Sequence, residues 1–143
     1  MKKLTKVLLL LVLVIFTAAC GNNQIPKTEF FLNEEATIDK IVLVLKEAKY
    51  TESNQIEFVF SITNKTKNTI TLDPDTNFKL YDVNQFQISN TYQNNINIIK
   101  KNETISYTLQ YENLNKDTYG ILFYSGVVEN NIKFTANSSD IKK

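Results

Sequence analysis

The fold is decided by the stretch Ile56-Glu57-Phe58-Val59-Phe60-Ser61-Ile62-Thr63, in which large apolar side chains occupy every second position. Successive side chains of a β-strand point to opposite faces, so this period of two predicts a strand with one buried face. The segment from Thr104 to Tyr111 repeats the pattern, and its apolar face consists of Ile105, Tyr107, Leu109 and Tyr111. Together the two segments favour an all-β fold.

Weaker strand signals lie on both sides of these two segments. Residues 41–46 are apolar on both faces and predict a central strand, although the helix-forming composition of residues 34–49 keeps a helix as the alternative. Further short strands are predicted at residues 69–72, 78–82, 119–124 and 132–136. About seven strands separated by polar turns are typical of an antiparallel β-sandwich, and a closed barrel is the alternative.

Turn chemistry and tyrosine positions add two expectations. The chain has only three glycines, so we expect asparagine to occupy turn positions that usually require glycine. Tyr107 and Tyr111 are expected in the core because they lie on an apolar strand face. Four other tyrosines are candidates for exposure: Tyr81, Tyr92, Tyr119 and Tyr124.

The N-terminus has the three parts of a secretory signal peptide. A basic start, residues 1–6, precedes an apolar run, residues 7–16, and three small residues then lead directly to Cys20. The four residues Thr17-Ala18-Ala19-Cys20 resemble the lipobox of bacterial lipoproteins. This resemblance implies cleavage before Cys20, diacylation of its sulfur and attachment to the cell membrane. An uncleaved anchor and a plain secretory signal are the alternatives. The run is shorter than the roughly 20 residues of a transmembrane helix.

The predicted organisation has four parts: a signal peptide (1–19), a lipidated tether (20–33), the sandwich (34–136) and a polar tail (137–143). Within the tether, the apolar patch Phe30-Phe31-Leu32 is a candidate for a first edge strand or for a plug over the core.

Composition narrows the possible functions. The chain has no histidine and no arginine, and its single cysteine is assigned to lipid. These absences exclude a Ser-His or Cys-His nucleophile, an imidazole metal site and an internal disulfide. Three of the sixteen lysines lie in the signal peptide, so thirteen remain against fifteen acidic residues, a net charge of −2. This balance argues against a nucleic-acid partner and against a polybasic membrane binder. The abundance of Lys, Asn and Ile suggests an AT-rich Gram-positive bacterium.

Five short motifs follow one another along the chain. They are a strand ending in N-x-[ST] (58–66), the strand Ile70-Thr71-Leu72, the strand 78–82, the turn 100–104 and the strand 119–123. Their order resembles a family of secreted bacterial domains described as telokin-like, or as similar to the mycobacterial immunoprotective extracellular protein. The resemblance covers residues 34–134 and implies an immunoglobulin-like sandwich on a lipid or secretion anchor, with no catalytic residues. At the turn, Lys101-Asn102 stands where the family has Pro-Gly.

One set of oxygen ligands is a weak calcium candidate: Asp73, Asp75, Asn77 and Asp82. The first three have the spacing that begins a calcium loop, but Phe78 replaces the required glycine and Asn84 replaces the required glutamate. We therefore expect a solvated turn before a strand, with no metal, no cofactor and no enzyme activity.

The polar segment from residue 84 to residue 102 predicts one irregular strand and a long loop, and long loops in compact domains are usually functional or disordered. Its central residues Tyr92, Gln93 and Asn94 are the candidate interaction site. We expect a non-catalytic binding or protein-interaction module that Cys20 anchors to the outer face of the cell membrane, with an extracytoplasmic protein partner. The alternatives are an exclusion or immunity lipoprotein of a mobile element and a structural component of an envelope complex. A small envelope hydrolase is the least favoured.

Overall fold

The structure is a computed structural model that describes residues 27–82, 84, 87–88, 95–112, 117–126 and 130–143. In these residues, seven strands have four or more residues: β2 (Glu35–Ile38), β3 (Ile41–Tyr50), β4 (Gln55–Asn64), β6 (Phe78–Asp82), β9 (Thr104–Glu112), β10 (Thr118–Tyr124) and β11 (Asn131–Asn137). The shorter elements are β1 (Glu29–Phe30), β5 (Ile70–Leu72), α1 (Pro74–Asn77), β7 (Gln87–Ile88), β8 (Asn97–Ile99) and β12 (Ile141–Lys142). The all-β prediction is confirmed.

The strands form two main sheets and a small third one. The front sheet has the order β1-β11-β10-β6-β7, and the back sheet has the order β12-β3-β4-β9, with β2 also paired to β3. Strands β5 and β8 pair with each other as a two-stranded sheet. Neighbouring strands are antiparallel except at two edges, where β1 runs parallel to β11 and β12 runs parallel to β3. Residues 41–50 are thus a strand, and the helix alternative for them is wrong.

The alternation in β4 builds the core. Its residues Ile56, Phe58, Phe60 and Ile62 are all fully buried. The rings of Phe60 and Phe134 are 5.2 Å apart, and those of Phe58 and Tyr119 are 5.8 Å apart, measured between centroids. Because β4 belongs to the back sheet and both partners belong to the front sheet, these contacts join two layers. The described strands therefore form a sandwich and not the single ladder of a closed barrel.

The burial of the tyrosine side chains differs from the prediction at one position. Tyr107 and Tyr111 are buried, as predicted, and Tyr81 and Tyr124 are half-buried. Tyr119 is fully buried, so the prediction that its side chain is exposed is wrong. It precedes Ile121 and Phe123 on the inward face of β10, which is paired on both sides within the front sheet.

Both ends of the described chain contribute more structure than their polarity predicts. Residues 29–30 of the expected tether form β1, in which Phe30 is buried, and this agrees with the edge-strand alternative. Residues 141–142 of the expected polar tail form β12, in which Ile141 is buried. Each segment has only one core residue, too few to produce a hydrophobic period. The sandwich therefore extends beyond the predicted limits of 34 and 136.

Positive φ angles fall mainly on asparagine, as expected from the low glycine content. Asn33, Asn54 and Asn102 have φ of 65°, 56° and 61°. The two-residue hairpin turn between β2 and β3 uses Asp39 and Lys40, with φ of 47° and 65°. Positive φ at both central residues is the signature of a type I′ turn, whose twist matches that of the flanking strands.

Candidate functional site

Two of the predicted sites fall outside the described residues. These are the lipidation site Cys20 and the interaction residues Tyr92, Gln93 and Asn94. In the parts of the chain that are described, no helix combines the length and apolarity needed to cross a bilayer.

The calcium candidates are engaged in local backbone capping. Asp73 is the N-cap of α1, and its carboxylate accepts from the Asp75 N–H at 3.0 Å. The side-chain oxygen of Asn77 accepts from the Asp73 N–H at 2.8 Å, and its nitrogen donates to the Tyr124 carbonyl at 2.8 Å. Asp82 lies at the far end of β6. Across the described residues, no three carboxylates gather closely enough to hold a metal ion.

Asn64, the first residue of the N-x-[ST] motif, is fully buried at the end of β4. Its amide nitrogen donates to the carbonyl oxygens of Asn68 (2.7 Å) and Ile99 (2.9 Å). Its amide oxygen accepts from the backbone N–H (2.9 Å) and the hydroxyl (2.6 Å) of Thr66. All four side-chain hydrogen-bonding positions are therefore used. We call this arrangement, which joins β4 to the loops beside β5 and β8, the Asn64 knot.

A tight turn closes the knot on its other side. The Asn102 N–H donates to the Asn64 carbonyl at 2.7 Å, and the Glu103 N–H donates to the Lys100 carbonyl at 3.1 Å. Within this turn only Asn102 has a positive φ. A positive φ at the third residue alone is the pattern of a type II turn, which Pro-Gly favours. Asn102 thus supplies the positive φ that this turn requires.

The outer face of the front sheet contains a groove of about 590 Å³, formed by four strands. Its lining residues are Glu29, Tyr81, Asp82, Thr118, Gly120, Leu122, Lys133 and Thr135. Gly120 lies in the middle, between its cross-strand partners Tyr81 and Thr135. A Cβ atom on Gly120 would lie only 3.1 Å from Cε of Lys133, so the missing side chain creates the space that the lysine stem enters. We call this feature the Gly120 groove.

One wall of the groove is a charged cluster. The carboxylate of Glu29 accepts from the Thr135 hydroxyl at 2.6 Å and pairs with the Lys133 ammonium at 2.9 Å. The Thr135 hydroxyl and then the Lys133 ammonium lower the pKa of Glu29 from its ordinary value. The cluster also ties β1 to β11 across the sheet surface.

The opposite side of the groove offers aromatic and apolar surface from Tyr81 and Leu122, both half-buried. An aromatic residue beside a polar rim is characteristic of protein-binding surfaces. The sequence does not reveal this site, because its residues come from four strands that are separate in the sequence. The only local signal is Gly120, since glycine inside a strand often marks a place where another group approaches closely.

No family model matches the chain, and no curated protein matches it. Among solved structures, it is similar to three bacterial proteins at low sequence identity. The first is a candidate lipoprotein, ycdA, from Bacillus subtilis subsp. subtilis str. 168 (14% identity, TM-score 0.59), and the match covers 80% of this chain and 40% of that one. The second is the yjhA protein of Bacillus subtilis (10% identity, TM-score 0.56; 75% and 98% covered).

The third is the secreted protein MPT63 of Mycobacterium tuberculosis (9% identity, TM-score 0.55; 80% and 99% covered). The chain therefore spans less than half of ycdA but nearly the full length of the other two. At these identities the likeness concerns the fold and does not extend to activity or partners. The protein is an all-β sandwich similar to a candidate lipoprotein and to a secreted protein of bacteria.

Proposed function

We propose that the protein is a non-catalytic binding module that Cys20 anchors to the outer face of the cell membrane, where it contacts another protein through the Gly120 groove. The observation that carries this proposal is the groove itself, a wide concave surface on a sheet face that combines a tyrosine, an apolar floor and a charged rim. The predicted signal peptide supports the proposed location at the outer face of the membrane.

The chemistry of the groove supports binding over catalysis. The carboxylate of Glu29 is already engaged by the Lys133 ammonium and the Thr135 hydroxyl. A catalytic carboxylate or amine needs a partner that raises or lowers its pKa toward neutrality, and this pairing holds Glu29 in the opposite direction. The absence of histidine from the whole chain removes the commonest general base.

The test places a photo-crosslinking amino acid in the full-length protein in its native membrane, at Leu122 inside the groove or at Val59 on the outer face of the back sheet. The proposal expects one protein to be captured from Leu122 and not from Val59. Gly120→Val should then block capture, because its side chain fills the floor. The change suits a strand, since Gly120 has no positive φ and the crowding atom belongs to a flexible lysine.

A matched control is Ser61→Val, at the centre of β4 on the opposite outer face. It should leave both capture and the melting temperature unchanged. If Gly120→Val folds normally and capture persists, the groove is not the contact surface. Replacing Tyr92, Gln93 and Asn94 with alanine in the same assay tests whether the predicted loop contributes to the contact.

A further inference from the structure

One end of the sandwich gathers lysines that are scattered in the sequence. We call the end that carries the Asp39–Lys40 turn the upper end. The pairing of Ile41 with Asn64 places the Asn64 knot there. The Asp39 carboxylate accepts from the Ser125 hydroxyl and the Asn130 amide, so the start of β11 lies at the same end.

The Asn64 knot brings four lysines to this end: Lys65, Lys67, Lys100 and Lys101. Each is the sequence neighbour of a residue that the knot binds directly, and all four are exposed. In the described part of the chain, none of them forms an ion pair or a side-chain hydrogen bond. The acids of the same turns, Asp39 and Glu103, each accept hydrogen bonds from neighbouring groups. We call this set of four unpaired lysines the lysine corner.

Exposed apolar side chains lie beside the lysine corner. Ile96 and Ile98 are 64% and 66% exposed. Ile98 lies in β8, two residues before Lys100. Lysines beside exposed apolar side chains form the combination that binds the interface of an anionic bilayer, where the charges meet headgroups and the apolar groups enter the acyl boundary.

The path of the chain brings its N-terminus to the same end. Because β1 runs parallel to β11, residues before Glu29 come from the end at which β11 begins. The Lys133 N–H donates to the Thr28 carbonyl at 2.8 Å, so the parallel arrangement continues one residue before β1. The predicted anchor, Cys20, precedes Glu29 by nine residues, which span at most about 30 Å when fully extended.

We propose that the lysine corner, with Ile96 and Ile98, docks the upper end of the sandwich onto an anionic phospholipid bilayer. The docking supplies a second membrane signal beside the acyl chains and leaves the lower end of the sandwich directed away from the membrane. The net charge of −2 does not reveal this positively charged end, because it sums the charges of the whole chain, whereas the fold gathers four lysines at one place. The inference rests on the proposed extracytoplasmic location, but the vesicle test below does not depend on lipidation of Cys20.

The test uses residues 21–143 without signal peptide or lipid. All described core residues lie between Phe30 and Ile141, so this chain retains the entire described core. Flotation is measured with vesicles of phosphatidylglycerol and phosphatidylcholine, and with pure phosphatidylcholine vesicles. Binding should occur with the anionic vesicles alone and should weaken at high salt. Each lysine near the surface contributes roughly a five-fold factor, so replacing the four corner lysines with glutamine should weaken binding by roughly several hundred-fold.

The matched control removes four lysines outside the corner by Lys46→Gln, Lys49→Gln, Lys142→Gln and Lys143→Gln. It changes the net charge equally and should weaken binding far less. Ile96→Ser with Ile98→Ser should weaken binding without changing its salt dependence. Equal binding to neutral vesicles, or an equal loss in the control, would overturn the proposal. Binding to a soluble polyanion such as poly(glycerol phosphate) without binding to vesicles would also overturn it and assign the corner to a polymer.

Orientation provides an independent readout. The chain without Cys20 has no cysteine, so a polarity-sensitive dye can be attached at Asn68→Cys in the upper end or at Ser53→Cys in the turn at the opposite end. Docking by the lysine corner predicts that anionic vesicles shift the emission of the dye at position 68 and leave that at position 53 unchanged. The reverse result would contradict the proposed orientation. Absence of acylation at Cys20 in cells would instead contradict the proposed anchor and leave this result intact.

Discussion

At the scale of single residues, one buried polar side chain, that of Asn64, connects several parts of the chain by hydrogen bonds. Asn64 satisfies four backbone and side-chain groups from a fully buried position. The sequence predicts a turn after β4, because Asn, Lys and Thr cluster there. It does not show that the first asparagine points inward, since one of the two carbonyls that its nitrogen satisfies belongs to Ile99 in β8, 35 residues away.

Replacing Asn64 by alanine should lower the free energy of unfolding by about 2–4 kcal/mol, because it removes four hydrogen bonds from a fully buried position. Asn64→Asp keeps the acceptor but loses both donations, and it should be destabilising as well. Urea unfolding measures both. Asn137→Ala is the control, because its side chain bonds only to Asp140 in the described residues, and it should cost less than 1 kcal/mol. A small effect of Asn64→Ala would mean that water replaces the amide.

The buried tyrosines make stability sensitive to alkaline pH. Burial, with smaller contributions from Asp73 and Asp75, raises the pKa of Tyr107 to about 12. An unfolded tyrosine ionises near pH 10. Between these two values the unfolded state binds fewer protons than the folded state, so stability falls as pH rises through this window.

We therefore expect the free energy of unfolding to drop between about pH 10 and pH 12, and Tyr107→Phe to reduce that drop by up to about 2 kcal/mol. Denaturant unfolding of both proteins at several pH values gives the two slopes. The slopes are the decisive quantity, because the variant also loses the 2.9 Å hydrogen bond from Tyr107 to the Asn95 carbonyl. Parallel curves would show that Tyr107 titrates near its ordinary value in the folded protein.

At the scale of elements, the strands with a clear period of two were predicted nearly to the residue. In strands β4 and β9, the apolar side chains at alternate positions face the core between the two sheets. The local sequence pattern and the tertiary environment therefore agree. Strand β1 is one of two alternatives that the sequence leaves open for the Phe30-Phe31-Leu32 patch, and strand β12 falls in the predicted polar tail. Each has two residues, and what stabilises it is the free edge of a neighbour in the fold and not its own pattern.

Phe60→Ala should cost about 3–5 kcal/mol, because Phe60 is fully buried and contacts rings of both Phe78 and Phe134. Chemical denaturation is the measurement. Phe31→Ala, at a side chain that is 42% exposed, is the size-matched control and should cost much less. A loss well below 1 kcal/mol for Phe60→Ala would contradict the assignment of this face to the core.

Strand β12 protects half of one edge of the back sheet. Along this edge β3 pairs first with β2 and then with β12, so both ends of the domain cover the same strand. Ile141→Ala should lower the free energy of unfolding by about 2–4 kcal/mol and increase aggregation, since an uncovered edge strand can pair with other chains. Lys143→Ala should change neither. Light scattering and thermal unfolding test both variants, and an unaffected Ile141→Ala protein would show that β12 is dispensable.

At the scale of the whole molecule, fold class was predictable and surface organisation was not. Segments of alternating polarity separated by polar turns predict the sandwich, because a long strand that buries one of its faces shows an apolar period of two. The Gly120 groove and the lysine corner depend on which strands become neighbours, which single-strand patterns do not encode. Gly120, for example, faces Tyr81 from a position 39 residues away in the sequence.

Anchoring is the prediction that belongs to this scale. Cys20→Ala should abolish labelling by a palmitate analogue and leave either an uncleaved precursor or shed protein. Metabolic labelling followed by membrane fractionation measures both outcomes. A Ser138→Ala protein, altered far from the signal, should be labelled and retained normally. Unchanged labelling of the Cys20 variant would exclude the lipid anchor.

The parallel pairing of β1 with β11 determines how this molecule would respond to mechanical force. If Cys20 is held in the membrane and a partner pulls on the groove, tension enters the domain through Lys27 and reaches β1 first. It acts along the strand, so the contacts of Glu29 and Phe30 resist it together as a shear load. Once these contacts break, residues 27–34 are released and lengthen the tether by at most about 27 Å, while β2 and the rest of the sandwich remain folded.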